Sequence, residues 1–151
     1  MWTDIRNRAE IGQTFNVPPN GIGISLYNAT GSAVVVGEVV WIGYEETAAA
    51  EMVANVVANK TFPVRTAVAL EAIADGDIGL FQIEGECEAL VLGGAVAAGD
   101  YLEAVASNVY FAEDGAARTT VSAAIALEAW ATATAALKSV FLIGEQHTIA
   151  A

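Results

Sequence analysis

Residues Ala67–Leu102 read AVALEAIADGDIGLFQIEGECEALVLGGAVAAGDYL, and this stretch decides the fold class. Short apolar runs alternate with Gly, Asp and Glu: ALEAIADGD, IGLFQIEG, EALVLGG, AVAAGDYL. Runs of this length rich in Val, Ile, Leu and Phe, separated by Asp-Gly, Gly-Gly and Gly-Asp, predict strands joined by tight turns. Glycine takes the positive φ that such turns need, and aspartate caps them with its own side chain. No residue in the stretch is placed for chemistry.

The pattern has echoes elsewhere. Ala67–Ala74 (AVALEAIA) is answered by Ala124–Ala131 (AIALEAWA), Leu80–Gly85 by Val140–Gly144, and Gly31–Glu38 by Gly94–Asp100. The pieces recur in the same order at a spacing of roughly 60 residues, longer than ordinary solenoid repeats. Two copies are too few for a solenoid or a propeller. The expectation is a mostly β fold, a compact β-barrel or β-sandwich of two similar halves spanning about 26–85 and 89–144. A shared Ala/Gly/Val bias is the plainer explanation of the same echoes.

A chain of 151 residues is expected to form one domain with a real core. Hydrophobic residues make up 55% of it and its mean hydropathy is +0.49, high for a soluble monomer, with only 16% charged residues. Glu128 and Lys138 interrupt the most apolar stretch, Val121–Ile143, so no membrane helix is predicted. The N-terminal MWTDIRNRAE lacks the apolar region of a signal peptide. The apolar excess is therefore expected to be covered by partners in an assembly made in the cytoplasm. A net charge of −12, from 18 acidic against six basic residues, argues against direct nucleic-acid binding.

Residues 1–20 are expected to form an N-terminal arm ahead of a single β-rich domain, 21–151. Trp2, Ile5, Ile11, Phe15 and Val17 follow neither a helical stripe nor strict alternation, and Pro18-Pro19-Asn20-Gly21 breaks the chain. The arm either packs on its own domain or reaches a neighbour, where Trp2 would anchor it. Strands are predicted at 22–28, 33–44 with a break at Gly37, 105–112, 119–127 and 137–144. Glu45–Asn59 fits helix or strand equally. Lys60–Pro63 reads as a loop, Glu113-Asp114-Gly115 as a turn, Ala129–Ala136 as a possible helical turn, and Glu145–Ala151 as a surface tail.

The chemical inventory is short. Cys87 is the single cysteine, so no disulfide or cysteine metal site forms within one chain, and it reads as a small core residue. His147, the single histidine, lies near the C-terminus and reads as a surface residue. Asp75-Gly76-Asp77 lacks the ligand spacing of a calcium loop. Glu84, Glu86 and Glu88 alternate with Gly85, Cys87 and Ala89, as one solvated strand face should. The glycines form neither a phosphate loop nor a dinucleotide fingerprint. No enzyme, no metal and no cofactor is expected.

Asn28–Val40, Val68–Gly79, Gly85–Val91, Ala95–Leu102 and Ala124–Ala129 together resemble the turn-and-strand pattern of tailed-bacteriophage capsid decoration, or cement, proteins. The elements cover most of the chain after Asn20. The match weakens over Val121–Ile143, where TATAALK replaces the usual glycine turn. The resemblance implies a β-domain that forms a homotrimer on the outer capsid surface of a virion and bridges major capsid protein subunits. It also implies an arm along the shell, here Trp2, Ile5, Arg6, Arg8, Ile11 and Phe15. The alternative is a receptor- or glycan-binding, fibre-associated virion module. That reading would look for exposed aromatics, with Tyr44, Phe62, Tyr110 and Trp130 the candidates.

Overall fold

The computed structural model describes residues 11–43, 52–58 and 60–149. Among them it has twelve strands and no helix: β1 (Thr14–Val17), β2 (Gly21–Asn28), β3 (Val39–Gly43), β4 (Val53–Asn55), β5 (Lys60–Val64), β6 (Thr66–Ala69), β7 (Ile78–Val96), β8 (Tyr101–Ala104), β9 (Phe111–Gly115), β10 (Ser122–Ala126), β11 (Trp130–Leu142) and β12 (His147–Ile149). The fold is mostly β with mixed parallel and antiparallel pairing.

Strand β7 organises the rest. Its first part pairs with β2 and β6, and the strand pairings run β2–β4–β3–β6–β7 and return to β2. Its second part pairs with β11 and β9, and the pairings run β7–β11–β10–β8–β9 and return to β7. Each circuit has one parallel contact, β2 with β4 and β7 with β9, and four antiparallel ones.

The division falls at Gly85. Pairing with β2 ends at Glu84 and pairing with β11 begins at Gly85. Gly85 has φ +90°, and a Cβ there would lie 2.6 Å from the Asn20 carbonyl oxygen and the Gly21 Cα. Only glycine fits both conditions without strain. The buried Gln82 amide pins the bend from inside, donating to the Glu84 carbonyl at 2.9 Å and the Glu86 carbonyl at 2.7 Å, one on each side of Gly85. The sequence predicts two strands with a turn here. The structure instead has one 19-residue strand, because both circuits supply hydrogen-bonding partners across the bend.

Two apolar clusters fill the interior, the first built from the first circuit and the second built mainly from the second circuit. Leu26, Val40, Ile42, Ala67, Ala69, Phe81 and Ile83 belong to the first, and Ala89, Leu102, Phe111, Ala124, Ala126, Val140 and Leu142 to the second. Strand β3, VVWIG, is buried along its whole length. Val40 and Ile42 face the first cluster, while Val39 and Trp41 on the opposite face join the second. A strand covered on both faces reads as an unbroken apolar run, as this one does.

The two circuits make the same turn contacts. The Val35 N–H donates to the Glu38 carboxylate at 3.2 Å, and the Ala97 N–H to the Asp100 carboxylate at 2.9 Å. Gly37 N–H to Ala69 carbonyl is matched by Gly99 N–H to Ala126 carbonyl, and Ala69 N–H to Glu38 carbonyl by Ala126 N–H to Asp100 carbonyl. Val34 pairs with Ile73 as Val96 pairs with Trp130. Phe81 opposes Ala69 as Val140 opposes Ala126. Leu80 therefore corresponds to Ser139, one residue before the Val140 suggested by the sequence echo.

Other differences from the sequence expectations have a common cause: pairing partners override weak local signals. Lys60–Pro63, expected as a loop, lies in β5, which pairs with β12. Ala129–Ala136 is not a helical turn but lies largely within β11, whose alternating TATA suits a strand against β7. Glu113-Asp114-Gly115 ends β9 instead of forming a turn, and Val105–Asn108 is a turn ahead of it. The described part of Glu45–Asn59 contains strand β4; residues 44–51 and 59 lie outside the described residues. The tail is not a surface tail as far as Ile149, since His147 and Ile149 are both buried in β12.

Candidate functional site

Of the arm residues singled out in the sequence, Trp2, Ile5, Arg6 and Arg8 lie outside the described residues. From Ile11 onward the chain packs on its own domain. The Gly12 N–H donates to the Ser25 carbonyl at 2.7 Å, and β1 pairs with β2 from Thr14↔Ile24 to Val17↔Gly21. Phe15 lies across Gly23, its ring in the space a side chain there would fill. Phe15 and Ile11 are each half-buried.

Of the aromatics proposed for recognition, only Trp130 and Tyr110 have side chains among those described. Trp130 is buried, with 7% of its surface exposed, and its Nε1 has no partner among the described residues. Tyr110 is half-buried, and Tyr44 lies outside the described residues. Trp130 is a core residue because it occupies in the second circuit the place of Ile73 in the first.

Cys87 sits in β7 opposite Val140 and packs against the second cluster. Burial, with help from the neighbouring Glu88 carboxylate, pushes its thiol pKa up to about 12, so it stays protonated and poorly nucleophilic. His147 sits in another sheet, opposite Val64. Glu86 and Glu88 are exposed and Glu84 is half-buried, on the face the sequence assigned to solvent. Among the described residues no three His, Cys, Asp or Glu side chains gather as a metal site.

Two surface features stand out. The first is an apolar seam where the circuits join. The Leu90 N–H donates to the Gly37 carbonyl, Val39 N–H to Val109 carbonyl and Ser107 N–H to Val57 carbonyl, at 2.7–2.8 Å. Around these links Val35, Val36, Val56, Val109 and Leu137 are 36–51% exposed, and Leu137 reaches over Gly37. Grouped exposed apolar side chains mark contact surfaces.

The second is a polar recess of about 530 Å³ between the segment after β9 and the start of β12. Arg118, Thr119, Thr120, Gln146, His147 and Thr148 line it. The Asp114 carboxylate fixes one wall, accepting from the hydroxyls of Thr119 and Ser122. Arg118 is ion-paired with Glu145 at the rim. Sequence reasoning missed the recess because its residues are unremarkable singly and lie almost 30 apart in the chain; the Thr148 N–H bond to the Thr120 carbonyl, at 2.9 Å, brings them together.

The architecture is similar to that of the head fiber gp8.5 N base of bacteriophage phi29, with a TM-score of 0.54 and 12% identity, over 83% of this chain and 97% of that one. At that identity the likeness is one of fold. No protein-family model and no curated protein matches the sequence.

Proposed function

We propose that this chain is a structural component of a phage virion, a fibre-associated module that forms the foot of an appendage on the head. The observation that carries the reading is the likeness to a head fibre base, which takes in 97% of that domain and 83% of this chain. In this reading the chain works by adhesion, with no catalytic step. Its partners are the major capsid protein and further copies of itself, as a homotrimer, on the outer surface of the particle.

Two surfaces serve that role. The apolar seam around Val35, Val36 and Leu137 supplies area that would be dehydrated on contact, at about 25 cal/mol per Å². The first ten residues, with Trp2, Ile5, Arg6 and Arg8, supply a second contact in this reading. We also propose that the two circuits are two copies of one small barrel sharing β7; the matched turn bonds of Glu38 and Asp100 support this. A second reading, a decoration protein bridging capsid subunits, is favoured by the seam and by the sequence resemblance. It differs in placing the domain over the whole shell.

Antibody labelling of phage particles from cells that produce the protein tests the proposal. Label confined to projections from the head supports the fibre-associated reading. Label spread evenly over the shell supports the decoration reading instead, and particles free of the protein would rule out both.

A further inference from the structure

The two circuits differ at one strand edge. Ser25 lies opposite Leu80 and Glu88 opposite Ser139, so Ser25 of the first circuit corresponds to Glu88 of the second. The edge at Ser25 is covered. Its carbonyl accepts from the Gly12 N–H at 2.7 Å, and its N–H donates to the Gln13 carbonyl at 3.2 Å, just ahead of β1. The edge at Glu88 is open. The Leu90 N–H turns away from β11 to the Gly37 carbonyl, and the Glu86 N–H turns away to the Asn20 side chain at 3.2 Å. Glu88 lies midway between them, so the alternation of an antiparallel ladder puts its N–H and carbonyl on that same edge. Neither group has a partner among the described residues. An open strand edge invites another strand.

The side chains there carry one sign of charge. Glu86 and Glu88 are both exposed on one face of β7, and neither has an ion pair among the described residues. Their complement is in the chain itself. Arg6 and Arg8 are also two positions apart, the spacing that puts both side chains on one face of a strand. The next closest pair of basic residues is Lys60 and Arg65. Opposite charges facing across two strands stabilise the pairing and fix its register.

We propose that residues 2–10 of one copy add a strand to β7 of a second copy at Glu88, antiparallel as β1 is to β2, with Arg6 opposite Glu88 and Arg8 opposite Glu86. The chain's own arm is too short for this register. Gly12 is held at Ser25, while the other end of β2, Gly21, lies against Gly85. Gly21 to Ser25 is about 13 Å of strand before the step to Glu86 is added, and Arg8 to Gly12 spans at most about 14 Å. That path is also covered by β1. In the antiparallel register Trp2 lies toward the Leu90 end, where the apolar seam begins. The donated arm and the receiving edge are different surfaces, so the contact is head to tail and three such contacts close a ring of three. The contact deepens the homotrimer of the proposed function, on which the ring of three rests, by naming what joins its copies.

The test is charge reversal, read by sedimentation velocity of the full chain over a concentration series. The parent should self-associate. Arg6→Glu with Arg8→Glu, and separately Glu86→Arg with Glu88→Arg, should each weaken association by about tenfold or more, and all four substitutions together should restore it. Circular dichroism melts show whether each variant is folded, and Glu86→Gln with Glu88→Gln replaces the arginine pair if that chain does not fold. The proposal is overturned by a parent that stays monomeric to millimolar concentration, by reversals that leave association unchanged, or by a fourfold variant no tighter than either pair. If the reversals leave association unchanged while phage particles still carry the protein, this contact falls and the virion assignment stands.

Discussion

Phe81 and Phe111 are the two largest fully buried side chains among the described residues, one in each strand circuit, yet they come from positions that do not correspond. Phe81 corresponds to Val140, since each faces the same alanine of its neighbouring strand. Phe111 corresponds to Ala54, which faces Ile42 as Phe111 faces Ala104. Each core therefore holds one fully buried phenylalanine, supplied by strands that do not correspond. Close packing requires the total volume to be right but leaves open which strand supplies it.

That exchange can be reproduced within the first circuit. Phe81→Val should cost about 2–3 kcal/mol through the cavity it leaves, and Ala54→Phe about 1–3 kcal/mol through overpacking. Their combination should recover at least about 1 kcal/mol relative to the sum, as coupled neighbours do. Urea unfolding of the four proteins measures this, and strict additivity would show that the two positions do not share one space.

The bend at Gly85 gives a second prediction. Gly85→Ala places a Cβ at φ +90° against the Asn20 carbonyl and Gly21 and should cost about 2 kcal/mol or more. Gln82→Leu should cost about 1–3 kcal/mol, because it removes the donor from two carbonyls at the same bend. Thermal melts of both variants are the check; melting points equal to the parent's would refute the role of the bend.

Burial holds the His147 pKa below its ordinary value of 6.5, against a weaker opposing effect of the Glu145 carbonyl. The unfolded chain then binds the extra proton first, so stability should fall as pH drops below about 6.5, until the folded histidine is protonated as well. Glu103 acts in the opposite sense. Burial and the nearby Asp114 raise its pKa above 4.5, so its protonation partly restores stability as pH falls further. His147→Phe should flatten the dependence between about pH 7 and 5.5, measured by urea midpoints. An unchanged profile in that variant would show that other groups set it.

The sequence was legible where glycine and aspartate punctuate apolar runs. The turns at Gly37–Glu38 and Gly99–Asp100 lie where the echoes placed them, since both are built from local bonds. It was illegible where structure depends on distant partners. Nothing local in Lys60–Val64 says that β12 lies beside it, and nothing near His147 reveals that Thr120 meets Thr148. Gly85 misled in an instructive way: its positive φ was correctly anticipated, but the same conformation that makes a turn also bends a continuous strand when both sides find partners.

The arm supplies a further prediction. Removing residues 2–10 leaves β1 and the Phe15–Gly23 contact in place, so the melting point should stay within about 3 °C, an amount equivalent to less than 1 kcal/mol. Association with particles should drop at least about tenfold. Co-sedimentation with purified heads reads the second quantity, and undiminished binding would transfer the contact to the apolar seam.

In the proposed function this domain stands at the foot of an appendage on a phage head. Cryo-electron microscopy of particles carrying the protein tests it most directly. The claim predicts density at the base of head projections into which the two circuits fit, with the Val35–Leu137 seam turned toward the shell or a neighbouring copy. Heads whose projections and surface contain no such density, in particles otherwise complete, would contradict it.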